Sequence, residues 1–165
     1  MSKQLFKQFQ RHLLRRRFFI PGETVVVAVS TGVDSMTLLD LLLQLPSNQQ
    51  PTIVIAHVNH ELRRESDTEE QFIRHFAKHH QLQLYVGHWR KSNHPQTGIE
   101  DAGRNFRYHF FKQVMRKTGA HILMTAHHAD DQAETVLMKL VRGDALPSLR
   151  GIAAMRPFAS GKLVR

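Results

Sequence analysis

Short apolar runs alternate with longer stretches of helical period through most of this chain, and few architectures satisfy such an alternation. A β-branched run over residues 24–29 comes after the turn pair Pro21-Gly22, and similar runs occupy 52–57, 82–86 and 121–125. Between them lie helical signals. Residues 36–45 are apolar and stop before Pro46. Ser66-Asp67-Thr68-Glu69 has capping-box spacing and leads into Phe72, Ile73, Phe76 and Ala77. Thr97-Gly98-Ile99-Glu100 has the same spacing before Phe106, Phe110, Phe111, Val114 and Met115, and a last helix is expected over 130–141, ended by Gly143. Strands alternating with helices imply βαβ units, hence an α/β fold with a parallel sheet and helices on both faces. Residues 1–22 read as an N-terminal helical segment, 23–157 as the main domain, and 158–165 as a linker or the opening of a further element of a truncated chain.

Composition narrows the setting. With 165 residues, 41% hydrophobic and 22% charged, the chain can bury a sizeable core. No apolar run reaches the roughly 18–20 residues that span a bilayer, and no signal peptide is evident, so no membrane partner is expected. The absence of cysteine excludes disulfides and thiolate metal sites and is compatible with a cytoplasmic location. A formal net charge of +9 and a pI near 10.5 favour polyanionic partners. Arg15-Arg16-Arg17 could touch phosphate, but reads more simply as the solvated end of a helix whose apolar face is Phe6, Phe9 and Leu13.

In parallel sheets, ligands sit at the carboxyl ends of the strands, which directs attention to the residues just after Val29, His57 and Thr125. The first loop, Ser30-Thr31-Gly32-Val33-Asp34-Ser35, offers hydroxyls, backbone N–H groups and a helix N-terminus, a combination that holds phosphate. It lacks the Gly-Lys-Ser/Thr ending of a Walker A loop and the three glycines of a dinucleotide fingerprint. A purely structural account makes Ser30, Asp34 and Ser35 helix caps. The second loop, His57-Val58-Asn59-His60-Glu61-Leu62-Arg63, admits a metal reading through its His-x-x-His pair, with His127, His128, Asp130 and Asp131 completing the site, or a reading as surface histidines. After the fourth strand, Asp131 and Glu134 share a helix face near its N-terminus, where carboxylates gain from the dipole and suit magnesium. Arg104 and Arg107 stand three apart on the preceding helix, opposite the expected Phe110/Phe111 core face. They form either a phosphate clamp or, with Glu100, a salt-bridged surface.

The first loop resembles the Ser-Gly-Gly-x-Asp-Ser PP-loop of the ATP pyrophosphatase superfamily: Ser30, Gly32, Asp34 and Ser35 match, and Thr31 replaces the first glycine. The segments at 57–63, 100–108 and 125–135 are similar to signatures of the tRNA(Ile)-lysidine synthetase family, in the family's order. The resemblance implies a Rossmann-like fold of the adenine nucleotide alpha hydrolase type. It also implies ATP and Mg2+ as cofactors, with residues 30–35 (Ser30, Thr31, Gly32, Val33, Asp34, Ser35) and His57 around the nucleotide. Asp34, Arg104, Arg107, His127 and Asp131 are then catalytic, with Asp34 and Asp131 as magnesium ligands. The expected activity is carbon–nitrogen ligation of free L-lysine to the wobble cytidine of the minor isoleucine tRNA with a CAU anticodon, by a chain that could form a homodimer. Alternatives are a related tRNA thiolase, disfavoured by the lack of cysteine, and a non-catalytic RNA-binding module.

Overall fold

The computed structural model describes residues 3–126 and 155–165. Its elements run α1 (Lys3–Arg16), β1 (Thr24–Ala28), α2 (Val33–Leu43), β2 (Thr52–Asn59), α3 (Ser66–His79), β3 (Gln83–His88), a 3-10 turn (Lys91–Asn93), α4 (Ile99–Thr118), β4 (Ile122–Thr125), β5 (Met155–Phe158) and β6 (Gly161–Val164). The helix expected over 130–141, with Gly143, lies outside the described residues.

The strands form one sheet in the order β3-β2-β1-β4-β6-β5, parallel throughout except for β5, which runs antiparallel to β6. From β1 the chain steps outward through β2 to β3, then returns past β1 to β4. With right-handed crossovers, such a reversal puts the returning helix on the opposite face. The two core clusters show this. Val25, Val27, Ile53 and Ile55 pack with Leu39 and Leu42 of α2 and Ile73 of α3. Val26, Ala28, Val54 and Ala56 pack instead with Phe111, Val114 and Met115 of α4. Strand β1 is therefore covered on both sides: Val25, Val26 and Val27 are fully buried, each worth roughly 1.5–3 kcal/mol. The direction of winding reverses between β1 and β4, and in open parallel sheets ligands bind at the carboxyl ends of the strands at such a point.

Two sequence expectations need correction. Neither capping box forms: the N-cap of α3 is Glu65 and that of α4 is Gly98, and neither makes a side-chain cap bond. Ser66 is instead buried as the first residue of α3. Gly98 adopts φ 68°, a left-handed entry that an upstream Thr97 cap cannot share. Second, the boundary placed after Pro157 cuts through β5. Of the two readings of residues 158–165, the further element is the one observed: β6 pairs in parallel with β4 and buries Leu163 and Val164. Gly161 makes that pairing feasible, because a Cβ there would overlap the His121 carbonyl, to which Lys162 N–H donates at 2.8 Å. Pro157 is tolerated because β5 is the edge strand. Residues 1–22 contain the helical segment expected there, α1, and its apolar face joins the domain: Leu13 and Phe18 are buried in the first core cluster, with Phe6, Phe9 and Phe19 packed against it.

Candidate functional site

The loop after β1 builds its shape from its own side chains. Ser35, 2% exposed, donates its hydroxyl proton to Gly32 O at 2.9 Å and accepts from Ser30 N–H at 3.2 Å. With that proton committed, the 3.3 Å contact between the Ser30 and Ser35 hydroxyls must have Ser30 Oγ as donor. Thr31 Oγ donates to Ser30 O at 2.6 Å. The caps expected of Ser30, Asp34 and Ser35 are absent. Gly32 is the N-cap of α2 without a side-chain bond, and the first intrahelical bond runs from Met36 N–H to Gly32 O. The N–H groups of Val33, Asp34 and Ser35 consequently have no acceptor among the described residues, and they project at the positive end of α2. The Asp34 carboxylate, in the same first turn, has neither ion pair nor hydrogen bond among the described residues.

Thr31 has φ 64°, whereas Gly32 has φ −67°. The left-handed position of this loop is therefore held by a β-branched residue, while the glycine beside it sits in ordinary extended backbone. Such a conformation costs on the order of 1–3 kcal/mol.

Beside this loop, a pocket of about 170 Å³ opens between the ends of β1 and β2, with Ser30, His57, Asn59, His60, Arg63 and Arg107 in its wall. His57 is 2% exposed, and its Nδ1–H donates to Val29 O at 2.8 Å. That fixes the neutral tautomer and leaves Nε2 as a buried acceptor without a partner among the described residues. Burial holds the pKa of His57 below its usual value, against the pull of the Val29 carbonyl, Glu70 and Glu69. The His-x-x-His pair does not act as one unit. His57 turns to β1, whereas His60 meets Trp89 edge-on at 5.6 Å. No cluster of three or more His, Cys, Asp or Glu is placed to hold a metal among the described residues.

Asn59, which motif reading passed over, organises this second loop. Its amide donates to Asp67 and to Glu70 at 3.0 Å each, and its oxygen accepts Glu61 N–H at 2.9 Å. Glu70 is bound in turn by Arg74 at 2.8 Å and lies 3.5 Å from His88. Burial alone would raise the Glu70 pKa, but these hydrogen bonds and cations together hold it below the usual carboxylate range. Strand β2 reaches Asn59, two residues beyond its expected end, because Val58 and Asn59 pair with Gly87 and His88. The available signal was an asparagine where a strand meets a loop and acidic residues one helical turn apart in α3.

The paired arginines separate. Arg107 lines the pocket with Phe111, one turn away on the same face of α4, so it does not lie opposite the core face as expected. Desolvation and the nearby Arg104 lower its pKa, against Tyr108, though a guanidinium remains charged. Arg104 is exposed, 6.0 Å from the Tyr108 ring, and forms no ion pair with Glu100. Two close approaches set this rotation of α4: a Cβ on Gly103 would come 2.9 Å from the Trp89 ring, and one on Gly87 equally close to Phe110. His127 and Asp131, with His128, Asp130 and Glu134, lie outside the described residues.

The chain resembles known proteins along nearly its whole length. It is 51% identical to the tRNA(Ile)-lysidine synthase of Lactiplantibacillus plantarum over 96% of this chain and 36% of that protein. It is 47% identical to the tRNA(Ile)-lysidine synthase of Enterococcus faecalis over 98% of this chain and 35% of that protein. The chain thus spans about a third of the length of these curated relatives. Among solved structures, the U34-tRNA thiolase NcsA from Methanococcus maripaludis, described with its [4Fe-4S] cluster, superposes with a TM-score of 0.67 at 18% identity, covering 98% of this chain and 56% of that one. At that identity the likeness concerns the fold alone, a mostly parallel α/β sheet flanked by helices. The PP-loop domain model matches residues 2–165, a span that includes every strand of the sheet, so the chain belongs to the PP-loop domain family.

Proposed function

We propose that this chain supplies the nucleotide-activating part of a tRNA(Ile)-lysidine synthase. The observation that carries the reading is that Ser30 shares a pocket wall with Arg107 and leads directly into α2, whose first amides and Asp34 carboxylate have no partner among the described residues, in a chain so similar to lysidine synthases. ATP lies with its phosphates against residues 30–35, where amides and the helix dipole favour negative charge. The wobble cytidine of the minor isoleucine tRNA attacks the α-phosphate through its C2 oxygen and displaces pyrophosphate. Free L-lysine then displaces AMP, in a cytoplasmic setting. Arg107 stabilises charge on phosphate with its guanidinium already desolvated, which strengthens its field.

Magnesium fits this donor set, since it is held by one or two carboxylates plus substrate phosphates rather than by a protein cage. Asp34 is free to serve, and Asp131 is proposed as the second carboxylate. The ion would screen the phosphate charges. His127 is proposed to orient the nucleotide, and Arg104, from its exposed position, to meet the incoming RNA.

Calorimetric titration with ATP and magnesium tests the site. The wild-type chain should bind saturably and Asp34→Ala should lose at least tenfold in affinity, about 1.4 kcal/mol or more. Equal binding by both proteins would remove Asp34 from the site. Release of pyrophosphate that needs the minor isoleucine tRNA, followed by lysine incorporation, tests the chemistry.

A further inference from the structure

The first 22 residues contain six of the chain's 23 Lys and Arg and none of its 14 Asp and Glu. Lys3, Lys7, Arg11 and Arg15 recur at intervals of four, which stacks them along one face of α1. Lys7, Arg11 and Arg15 are exposed, as are Arg16 and Arg17, and no acidic partner reaches any of these five among the described residues. Like charges one turn apart weaken a helix, so this ridge is electrostatically unfavourable for the free protein. Its effect is already felt inside: burial first, then Arg16 and Arg15, lowers the pKa of His12.

The opposite face of α1 is committed to the protein. Leu13 is buried, and Phe6 and Phe9 pack against the core. On the helical wheel these three lie opposite the cations. A basic amphipathic helix that binds lipid must insert its apolar face, and here that face is covered by the sheet. What remains is a rigid row of cations about 12 Å long from Lys7 to Arg15, with Gln4 and Gln8 beside it in a shallow groove. A row of that length spans several charges of a nucleic-acid duplex.

We infer that α1 is a docking surface for the sugar-phosphate backbone of RNA, separate from the strand-end pocket, with Lys7, Arg11 and Arg15 as its phosphate contacts. This rests on the RNA part of the function proposed above and not on its nucleotide chemistry. Contacts of this kind carry no sequence information. They set affinity, orientation and salt dependence.

The test is binding of a fluorescent transcript of the minor isoleucine tRNA to the 165-residue chain, by anisotropy across a salt series. One variant carries Lys7→Gln, Arg11→Gln and Arg15→Gln. A control loses the same charge elsewhere, through Lys78→Gln, Arg116→Gln and Lys117→Gln on the ends of α3 and α4. The α1 variant should bind at least tenfold more weakly near 0.1 M salt, with a salt slope shallower by about 2 to 3. The control should change by less than threefold. Helix content should be unchanged in both variants, and ATP titration should be unaffected by the α1 changes. Equal losses in the two variants would overturn the proposal, leaving only a diffuse field. No RNA binding by the wild-type chain would overturn it too, as would loss of binding to phosphatidylserine vesicles with RNA binding intact. Failure of ATP binding in the wild type would count against the nucleotide site and leave this surface standing.

Discussion

The loops after β1 and β2 leave neighbouring strands of the same sheet, yet they are held by different means. The first is bonded to itself: Ser30, Thr31 and Ser35 satisfy one another, and the first α2 amides and Asp34 have no partner among the described residues. The second is bonded to the body of the protein, with Asn59 tied to Asp67 and Glu70 of α3 and His57 to Val29 of β1. A loop that keeps its donors unspent and carries a left-handed Thr31 is arranged for a ligand. A loop whose polar groups are nearly all engaged is arranged as a wall. Polar-to-alanine substitutions in the first should therefore weigh more on ligand affinity and less on stability than those in the second.

The largest stability effect is expected for Asn59→Ala. It strands Glu70 and Asp67 without their shared donor and should cost about 2–4 kcal/mol, measured by urea denaturation. A loss below about 1 kcal/mol would mean that the second loop is not held through this side chain. Ser35→Ala should cost about 1–2 kcal/mol but weaken ATP binding at least tenfold; unchanged binding would separate the loop's shape from its use.

Thr31→Gly should stabilise the chain by about 1 kcal/mol, since relief of left-handed strain exceeds the extra unfolded-state entropy of glycine. For a domain of this size the melting midpoint rises by about 2–4 °C. A fall would show that the Thr31–Ser30 hydrogen bond outweighs the strain.

The smallest effects are pH-linked. Glu70 has a depressed folded-state pKa, so its contribution is complete above the ordinary glutamate range and is lost as pH falls through the folded value. Glu70→Gln should thus be destabilising at pH 7 and nearly neutral in acid. His57 is likewise depressed, and because the unfolded chain takes up its proton first, stability should fall as pH drops below about 6.5. His57→Gln should flatten that portion of the profile. A pH dependence identical to wild type would mean that His57 titrates normally.

Much of this was legible along the chain. Four strands, the helices between them and the loop of residues 30–35 announce themselves through local period and residue type, because a strand buried on both faces must be apolar throughout and a surface helix must show its 3.6-residue period. The spacing of Arg104 and Arg107 predicted one shared helix face, but only Arg107 lines the pocket. Its separation from Arg104 was not visible, because that depends on how far α4 is turned, which Gly103 against Trp89 and Gly87 against Phe110 decide. The role of Asn59 was hidden for a similar reason: its partners become its neighbours only when α3 packs over β2.

The sequence by itself determined the class of fold and the succession of elements from α1 to β4, which arise from interactions between residues close in the chain. Tertiary structure alone decided that β4 and β6 close the sheet beside β1, making residues 158–165 part of the domain. It also decided that Thr31, not Gly32, takes the left-handed turn. Such outcomes are set by pairings between distant segments and by the space they leave, and no local pattern records either.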